Sequence, residues 1–216
     1  MKQNDFNDLF DEWAISYDQT VYDTNGEYQE VFEGYDRIVD EVVSHIPPQS
    51  KTVLEIGVGT GNVTERLLAR GYQVIGVEPS QGMREAVQKK QLAFDLRDGH
   101  FLDLPLQPNE KVDSIVSSFA FHHLTLTEKA EAIRLMSHVL TDQGTIVFAD
   151  TCYRDEESKR EIHGRVRKQE RWNLLHDLQT EFYEQIADLD AICNKENFTV
   201  EWKQLNRFVW LFVAKK

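Results

Sequence analysis

Hydrophobic positions recur along this chain with two alternating periods. Near the N-terminus, Phe6, Leu9, Phe10 and Trp13 follow helical spacing, as do Val31, Tyr35, Ile38, Val42 and Ile46. Residues three and four apart share one face of a helix, so both groups predict amphipathic helices. Pro47-Pro48 closes that region, because proline cannot continue a helix. The chain then turns to short apolar runs with strand character: 51–56 (KTVLEI), 72–77 (YQVIGV), a weaker 92–96, 112–117 (VDSIVS) and 144–149 (GTIVFA). Helical stretches separate them. One carries Val63, Leu67 and Leu68 and is closed by Gly71; one spans 81–90 with Met83 and Val87 inward; one carries Ala130, Ile133, Met136 and Leu140. Thr125 and Glu128 have the spacing of a capping box, which predicts where that last helix starts.

Strands alternating with helices of this length predict βαβ units, a parallel sheet with helices on both faces. The pattern changes after Asp150. Residues 154–192 are charged and helical, with Trp172, Leu175, Leu178, Phe182, Ile186 and Leu189 as the apolar stripe. They predict a helical addition that packs on the sheet edge or partly covers the active site. The ending, 198–202 and 207–213 (RFVWLFV), reads as two strands with a short turn between them. No crossover helix is available there, so that pair is expected to be antiparallel. The expected organisation is one domain over 1–216, with 1–46 as an N-terminal helical lid region and 154–192 as a helical insertion or cover.

Composition and charge narrow the partners. The 216 residues, 41% of them hydrophobic, suffice for one real core and are too apolar for a disordered chain. No run approaches the ~18 apolar residues of a membrane span, and the polar start MKQNDFNDLFDEW does not read as a secretory signal. No membrane partner is expected. Cys152 and Cys193 are too few for a disulfide framework or thiolate metal site, so a cytoplasmic home is expected. The net charge of −13 gathers in the first fifty residues, where twelve acids face Lys2 and Arg37. Such a surface disfavours nucleic acid, which is held by basic contacts. Residues 154–173 are locally basic, with Arg154, Lys159, Arg160, Arg165, Arg167, Lys168 and Arg171 among interleaved glutamates. They read as a solvated, internally paired helix face or as a grip on an acidic small substrate. No His, Cys, Asp and Glu spacing suggests a metal.

The sharpest chemical signal is Glu55-Ile56-Gly57-Val58-Gly59-Thr60-Gly61, between a predicted strand and a predicted helix. Glycines there permit a tight turn and close approach by a ligand, and the helix start offers unpaired N–H groups. Glu78 ends the second strand, 21 residues beyond Gly57, where a carboxylate can accept ribose hydroxyls. Together these features predict a cofactor containing a nucleoside. The dinucleotide fingerprint wants glycine at the sixth position from Gly57, which is Asn62, and no Lys-Ser/Thr pair follows for a phosphate loop. NAD(P) and ATP are therefore disfavoured. An NAD(P)-dependent oxidoreductase and a non-catalytic nucleoside-binding sensor remain the alternatives to an enzyme of another kind.

Glu55-x-Gly57-x-Gly59-x-Gly61 resembles motif I of the class I, Rossmann-like methyltransferases that use S-adenosyl-L-methionine. Glu78-Pro79-Ser80 with Met83 resembles their second motif, and Asp98-Gly99 with Phe101 and Leu104-Pro105 the third. Residues 113–118 (DSIVSS) and Phe121-His122-His123-Leu124 resemble the fourth-strand motif, and Val139-Leu140 before Gly144 the approach to strand five. Phe10-Asp11-x-x-Ala14-x-x-Tyr17-Asp18 resembles the N-terminal helix of members that act on small molecules. The match is collinear over roughly residues 9–150, and the whole chain resembles an uncharacterised bacterial subgroup.

The resemblance implies a seven-stranded mixed sheet of order 3-2-1-4-5-7-6, strand 7 antiparallel, flanked by helices. It implies S-adenosyl-L-methionine as cofactor, a small-molecule methyl acceptor, and a monomer or homodimer. It also implies roles: Glu55 orients the amino-acid end of the cofactor, Gly57, Gly59 and Gly61 admit it, and Glu78 with Pro79 holds the ribose. Met83, Asp98, Gly99 and Phe101 surround the adenine, Ser118 and Phe119 flank the methionine part, and Tyr17 closes from the lid. From the residues themselves, His122 and His123 are the general-base candidates. They follow the fourth strand, at the end of the sheet where ligands bind, and imidazole titrates near neutral pH. Tyr17 leads Tyr22 and Tyr28 as a further acceptor-side candidate.

Overall fold

A computed structural model of the protein describes residues 17–216. The predicted helix face of Phe6, Leu9, Phe10 and Trp13, and the motif residues before Tyr17, lie outside them. The sheet holds seven strands: β1 (Thr52–Ile56), β2 (Gln73–Val77), β3 (Asp95–Arg97), β4 (Val112–Ser118), β5 (Leu140–Thr151), β6 (Thr199–Gln204) and β7 (Val209–Lys215). Their order is β3-β2-β1-β4-β5-β7-β6. The first five run parallel, and β7 is antiparallel to both β5 and β6. This is the predicted topology. The strand order reverses beside β1, and the crevice at such a switch is where open α/β sheets take their ligands.

Adjacent residues on a strand face opposite ways, and β1 shows the consequence. Val53 belongs to one core cluster, with Ile38, Val42, Leu67, Val166 and Leu178. Its neighbour Leu54 belongs to the other, with Ile133, Met136, Phe148, Leu189 and Phe212. Both faces are therefore covered, as a parallel sheet requires. The covering helices are α1 (Tyr17–Val21), α2 (Tyr35–Ser44), α3 (Asn62–Ala69), α4 (Gln81–Lys89), α5 (Leu126–Val139), α6 (Glu156–Lys168), α7 (Trp172–Thr180) and α8 (Ile186–Lys195), with a 3-10 turn over Phe121–His123. The capping box at Thr125 and Glu128 is formed. No helix among the described residues is long and apolar enough to cross a membrane.

Several boundaries differ from the sequence pattern. Gly34, in left-handed geometry at φ +73°, precedes α2, so Val31 reaches the core from a turn rather than from that helix. β3 starts at Asp95 instead of 92, after the chain reverses through Gln91 at φ +54°. β5 starts four residues early because Leu140 pairs with Val112 before a bulge, and regular pairing resumes at Thr145. Residues 154–192 form separate helices, with Glu170 at φ +56° between α6 and α7. That break takes Trp172 out of the expected stripe: it is 58% exposed, whereas Leu175, Leu178 and Leu189 are buried.

The start of α3 depends on Gly61. It sits at φ +86°, and a Cβ there would lie 2.5 Å from Cγ2 of Val87 on α4. Left-handed geometry and overpacking each disfavour a side chain, by about 1–2 and 1–3 kcal/mol. Gly61→Ala is expected to lower unfolding free energy by about 2–4 kcal/mol; an unchanged urea midpoint would contradict this packing.

Candidate active site

The carboxyl ends of β1, β2 and β4 open onto a cavity of about 500 Å³. Its near wall is the turn after β1. Gly59 sits there at φ +55°, with nothing within 4 Å of the position a Cβ would take. The backbone is thus bare toward the cavity, the form a close ligand contact needs. Beside it, Glu78 is buried at the end of β2. Its Oε2 accepts from the Gly59 N–H at 2.9 Å and its Oε1 from the Ser80 N–H at 2.9 Å. Ser80 in turn caps α4 by accepting from the Met83 N–H. Arg84 of α4 donates to the carbonyls of Glu78 and Pro79 at 2.7 and 2.8 Å and pairs with Asp98 at 3.1 Å. One arginine therefore ties the β2 exit to the β3 exit.

Helix α1 is fastened to the glycine turn. Asp18 of α1 accepts from Thr60 Oγ1 at 2.7 Å and from Asn62 Nδ2 at 3.1 Å, and Asn62 Nδ2 also donates to the Tyr35 hydroxyl. Asn62, which breaks the dinucleotide pattern, is thus a bolt between three elements. Tyr17 lies on the cavity wall, where burial, with Tyr35 beside it, pushes its hydroxyl far above the ordinary range. The end of β4 carries Phe119 at φ +53°, a conformation that side chains seldom adopt and that concentrates at functional sites. Its N–H donates to the Ala149 carbonyl, and its ring stacks on Tyr35 at 5.7 Å.

The two histidines after β4 part company. His122 turns back into the fold: its Nδ1 meets Asp150 Oδ1 at 2.6 Å, its backbone N–H donates to Oδ2 at 3.0 Å, and its ring stacks on Tyr183. Burial alone would raise the Asp150 carboxyl, but His122 holds it below the usual range. His123 lines the cavity, with Nδ1 3.1 Å from Glu181 Oε2. Burial and the neighbouring His122 push its imidazole down to about 4, against the pull of Glu181. Glu181 follows α7 and is held in place by its neighbours. The Phe182 N–H donates to the His122 carbonyl at 3.1 Å, and buried Lys129 donates to the carbonyls of Phe182 and Leu124.

Residues 53–144 match a family described as a methyltransferase domain. The chain is 43% identical over 213 residues to an uncharacterised methyltransferase of Alkaliphilus oremlandii, covering 98% of each. It is 44% identical over 212 residues to another from Oceanobacillus iheyensis, again covering 98% of each. The chain belongs to the class I S-adenosylmethionine-dependent methyltransferase family. The fold of this methyltransferase also matches magnesium protoporphyrin IX methyltransferase of Synechocystis, solved with bound SAH, at TM-score 0.74 and 16% identity over the whole of both chains.

Of the methyltransferase motif residues, the cavity gathers Tyr17, Gly57, Gly59, Glu78, Pro79, Met83, Phe101, Ser118, Phe119 and His123. Glu55, Gly61, Asp98, Gly99 and His122 are not on its wall. Glu55 is buried behind the turn, accepting from Thr64 Oγ1 at 2.6 Å. Asp98 is 72% exposed and turned to Arg84. Tyr22 bonds Asp36 and Tyr28 bonds Asp177, both away from the cavity. Sequence reasoning missed Glu181, Phe182 and Glu128 on the wall. Glu128 is visible as half of a capping box, but no local pattern marks Glu181, which arrives from a helical addition 58 residues beyond His123.

Burial pushes the Glu55 carboxyl up to about 8, against the Thr64 hydrogen bond and with repulsion from Glu78. An acid whose folded-state value is raised favours the folded state at low pH. Its contribution is lost as pH climbs from the unfolded value of about 4.5 through about 8. Glu55→Gln is expected to flatten the fall in stability across that window, a slope of at most about 1.4 kcal/mol per pH unit. Denaturant titrations at several pH values test this; parallel wild-type and variant profiles would count against a buried neutral carboxyl.

Proposed function

We infer that this methyltransferase carries a methyl group from S-adenosyl-L-methionine to a small molecule held in the same cavity. One observation carries the reading. A bare glycine backbone beside a buried carboxylate, Gly59 with Glu78, lines the same cavity as a half-buried imidazole–carboxylate pair, His123 with Glu181. The first pair fits a nucleoside: an open backbone for close approach and a carboxylate already fixed by two N–H groups for hydroxyls. The volume of about 500 Å³ lies in the range of small-molecule sites.

When bound, the cofactor supplies an electrophilic methyl group. In this reading Glu78 and Pro79 hold its ribose, Met83 and Phe101 pack near its base, and the backbone at Gly57, Ser118 and Phe119 flanks its amino-acid part. Tyr17 closes from the lid side. Glu55, Gly61 and Gly99 act through the turns they shape, and Asp98 serves Arg84. The chain's contribution to transfer is alignment and exclusion of water, together with one proton acceptor. Glu181 takes the His123 Nδ1–H, so Nε2 is the ring nitrogen that accepts. His122, anchored by Asp150, fixes the turn that presents His123.

The cavity that the cofactor-motif residues line also reaches His123, which favours an enzyme over a sensor, whose acceptor space would be filled with side chains. The buried free thiols Cys152 and Cys193 agree with a reducing, cytoplasmic setting.

Calorimetry is expected to show S-adenosylmethionine and its demethylated product binding, and NADH not; the opposite preference would end this reading. Glu78→Ala is expected to raise the Kd for the product about 30-fold or more, roughly 2 kcal/mol or above for a buried charged partner. An unchanged Kd would remove Glu78 from the cofactor site.

A further inference from the structure

We propose that the acceptor is a small apolar molecule bearing a basic amine, and that Glu181 selects it over a carboxylate or phosphate. This rests on the methyltransferase reading above. Around His123 the cavity wall is apolar at Phe101, Leu102, Leu124 and Phe182. Its polar side chains include the carboxylates Glu128 and Glu181, and among the described lining residues there is no lysine or arginine.

Nearby cations are engaged elsewhere. Lys129 is tied to the carbonyls of Leu124 and Phe182 and lies 3.5 Å from Glu184. In the basic segment, Arg165 and Arg171 bind Glu30, and Arg154 binds Asp155. The expectation that this segment grips an acidic substrate therefore has no residue on the wall to support it.

Glu181 is the less solvent-exposed of these two carboxylates. Glu128 accepts from both the N–H and the hydroxyl of Thr125 through Oε2 at 2.8 Å, and it is exposed, so solvent screens its charge. Glu181 accepts from His123 through Oε2, and among the described residues no hydrogen bond reaches its Oε1. An ionised carboxylate offers several more lone-pair positions. Burial would raise its carboxyl, but the His123 bond keeps it below the ordinary range, so it is charged at neutral pH. Burial and His122 keep His123 neutral, with Asp150 and Glu181 opposing them. The pair thus carries one net negative charge, 14% and 21% exposed at its two side chains. An ammonium placed there is matched, whereas an anion would be desolvated against a like charge. The backbone bond from Phe182 to His122 and the Lys129 clamp keep Glu181 at the wall.

The test is calorimetry on the full chain at pH 7, saturated with S-adenosylhomocysteine so that the cofactor's charges are constant. The probes are 2-phenylethylamine, 2-phenylethanol and phenylacetate. The amine is expected to bind at least about tenfold tighter than the acid, with the alcohol between them. Glu181→Gln should weaken the amine about tenfold or more and leave the alcohol unchanged. In nitrogen-15 spectra, the wild-type His123 should carry its proton on Nδ1, and the variant should lose that preference. Acid binding equal to or tighter than amine binding overturns the proposal, as does no amine binding, or an amine preference that survives in Glu181→Gln. If the variant does not fold, the wild-type ranking of the three probes still decides. A chain that fails to bind S-adenosylhomocysteine overturns the methyltransferase reading instead.

Discussion

A buried carboxylate needs donors, and Glu78 finds them in the Gly59 and Ser80 amides. The arrangement around the cavity follows from that need. The first amide draws the glycine turn after β1 against the end of β2; the second sets the residue that caps α4. Arg84, on that helix, then reaches back to the carbonyls of Glu78 and Pro79 and across to Asp98. Three strand exits are thereby held relative to one another by one acid and one arginine. Removing the carboxylate would loosen the turn as well as remove an acceptor, so binding and local order are linked at this residue.

The opposite end of the cavity is organised by two adjacent histidines with different partners. Asp150, inside the fold, takes His122; Glu181, from beyond α7, takes His123. Their rings lie 4.0 Å apart, close enough for His122 to disfavour charge on His123. Division of labour follows: one imidazole anchors the turn, and the other faces the cavity as a neutral group. Lys129 makes this possible from behind, because its ammonium satisfies carbonyls on both sides of the junction between the 3-10 turn and the 180–184 segment.

Most of the sheet was legible because strands and helices carry their periods locally. Val53 and Leu54, on β1, fall into different cores through alternation alone. The capping box at Thr125 and Glu128 needs only four residues. The failures are equally physical. Gly34 and Glu170 take positive φ and interrupt patterns that look continuous, and Leu140 joins β5 early because Val112 pairs with it across a bulge. Trp172 matched the stripe by spacing and is exposed, since the break before α7 changes the direction of that face.

The sequence by itself determined the alternation of strands and helices, the glycine turn and the acid after β2, because each follows from short-range spacing within a few dozen residues; the order of the strands was implied by the family resemblance. It also presented two histidines at the end of β4 without separating them. Only the tertiary structure separated them, since Asp150 and Glu181 come from different elements and neither contact leaves a trace in local pattern. The same holds for Asn62, a mismatch to a fingerprint in sequence and a junction of three elements in space. Side-chain chemistry at this cavity depends on contacts between residues far apart in the chain, and burial sets the charge each carries.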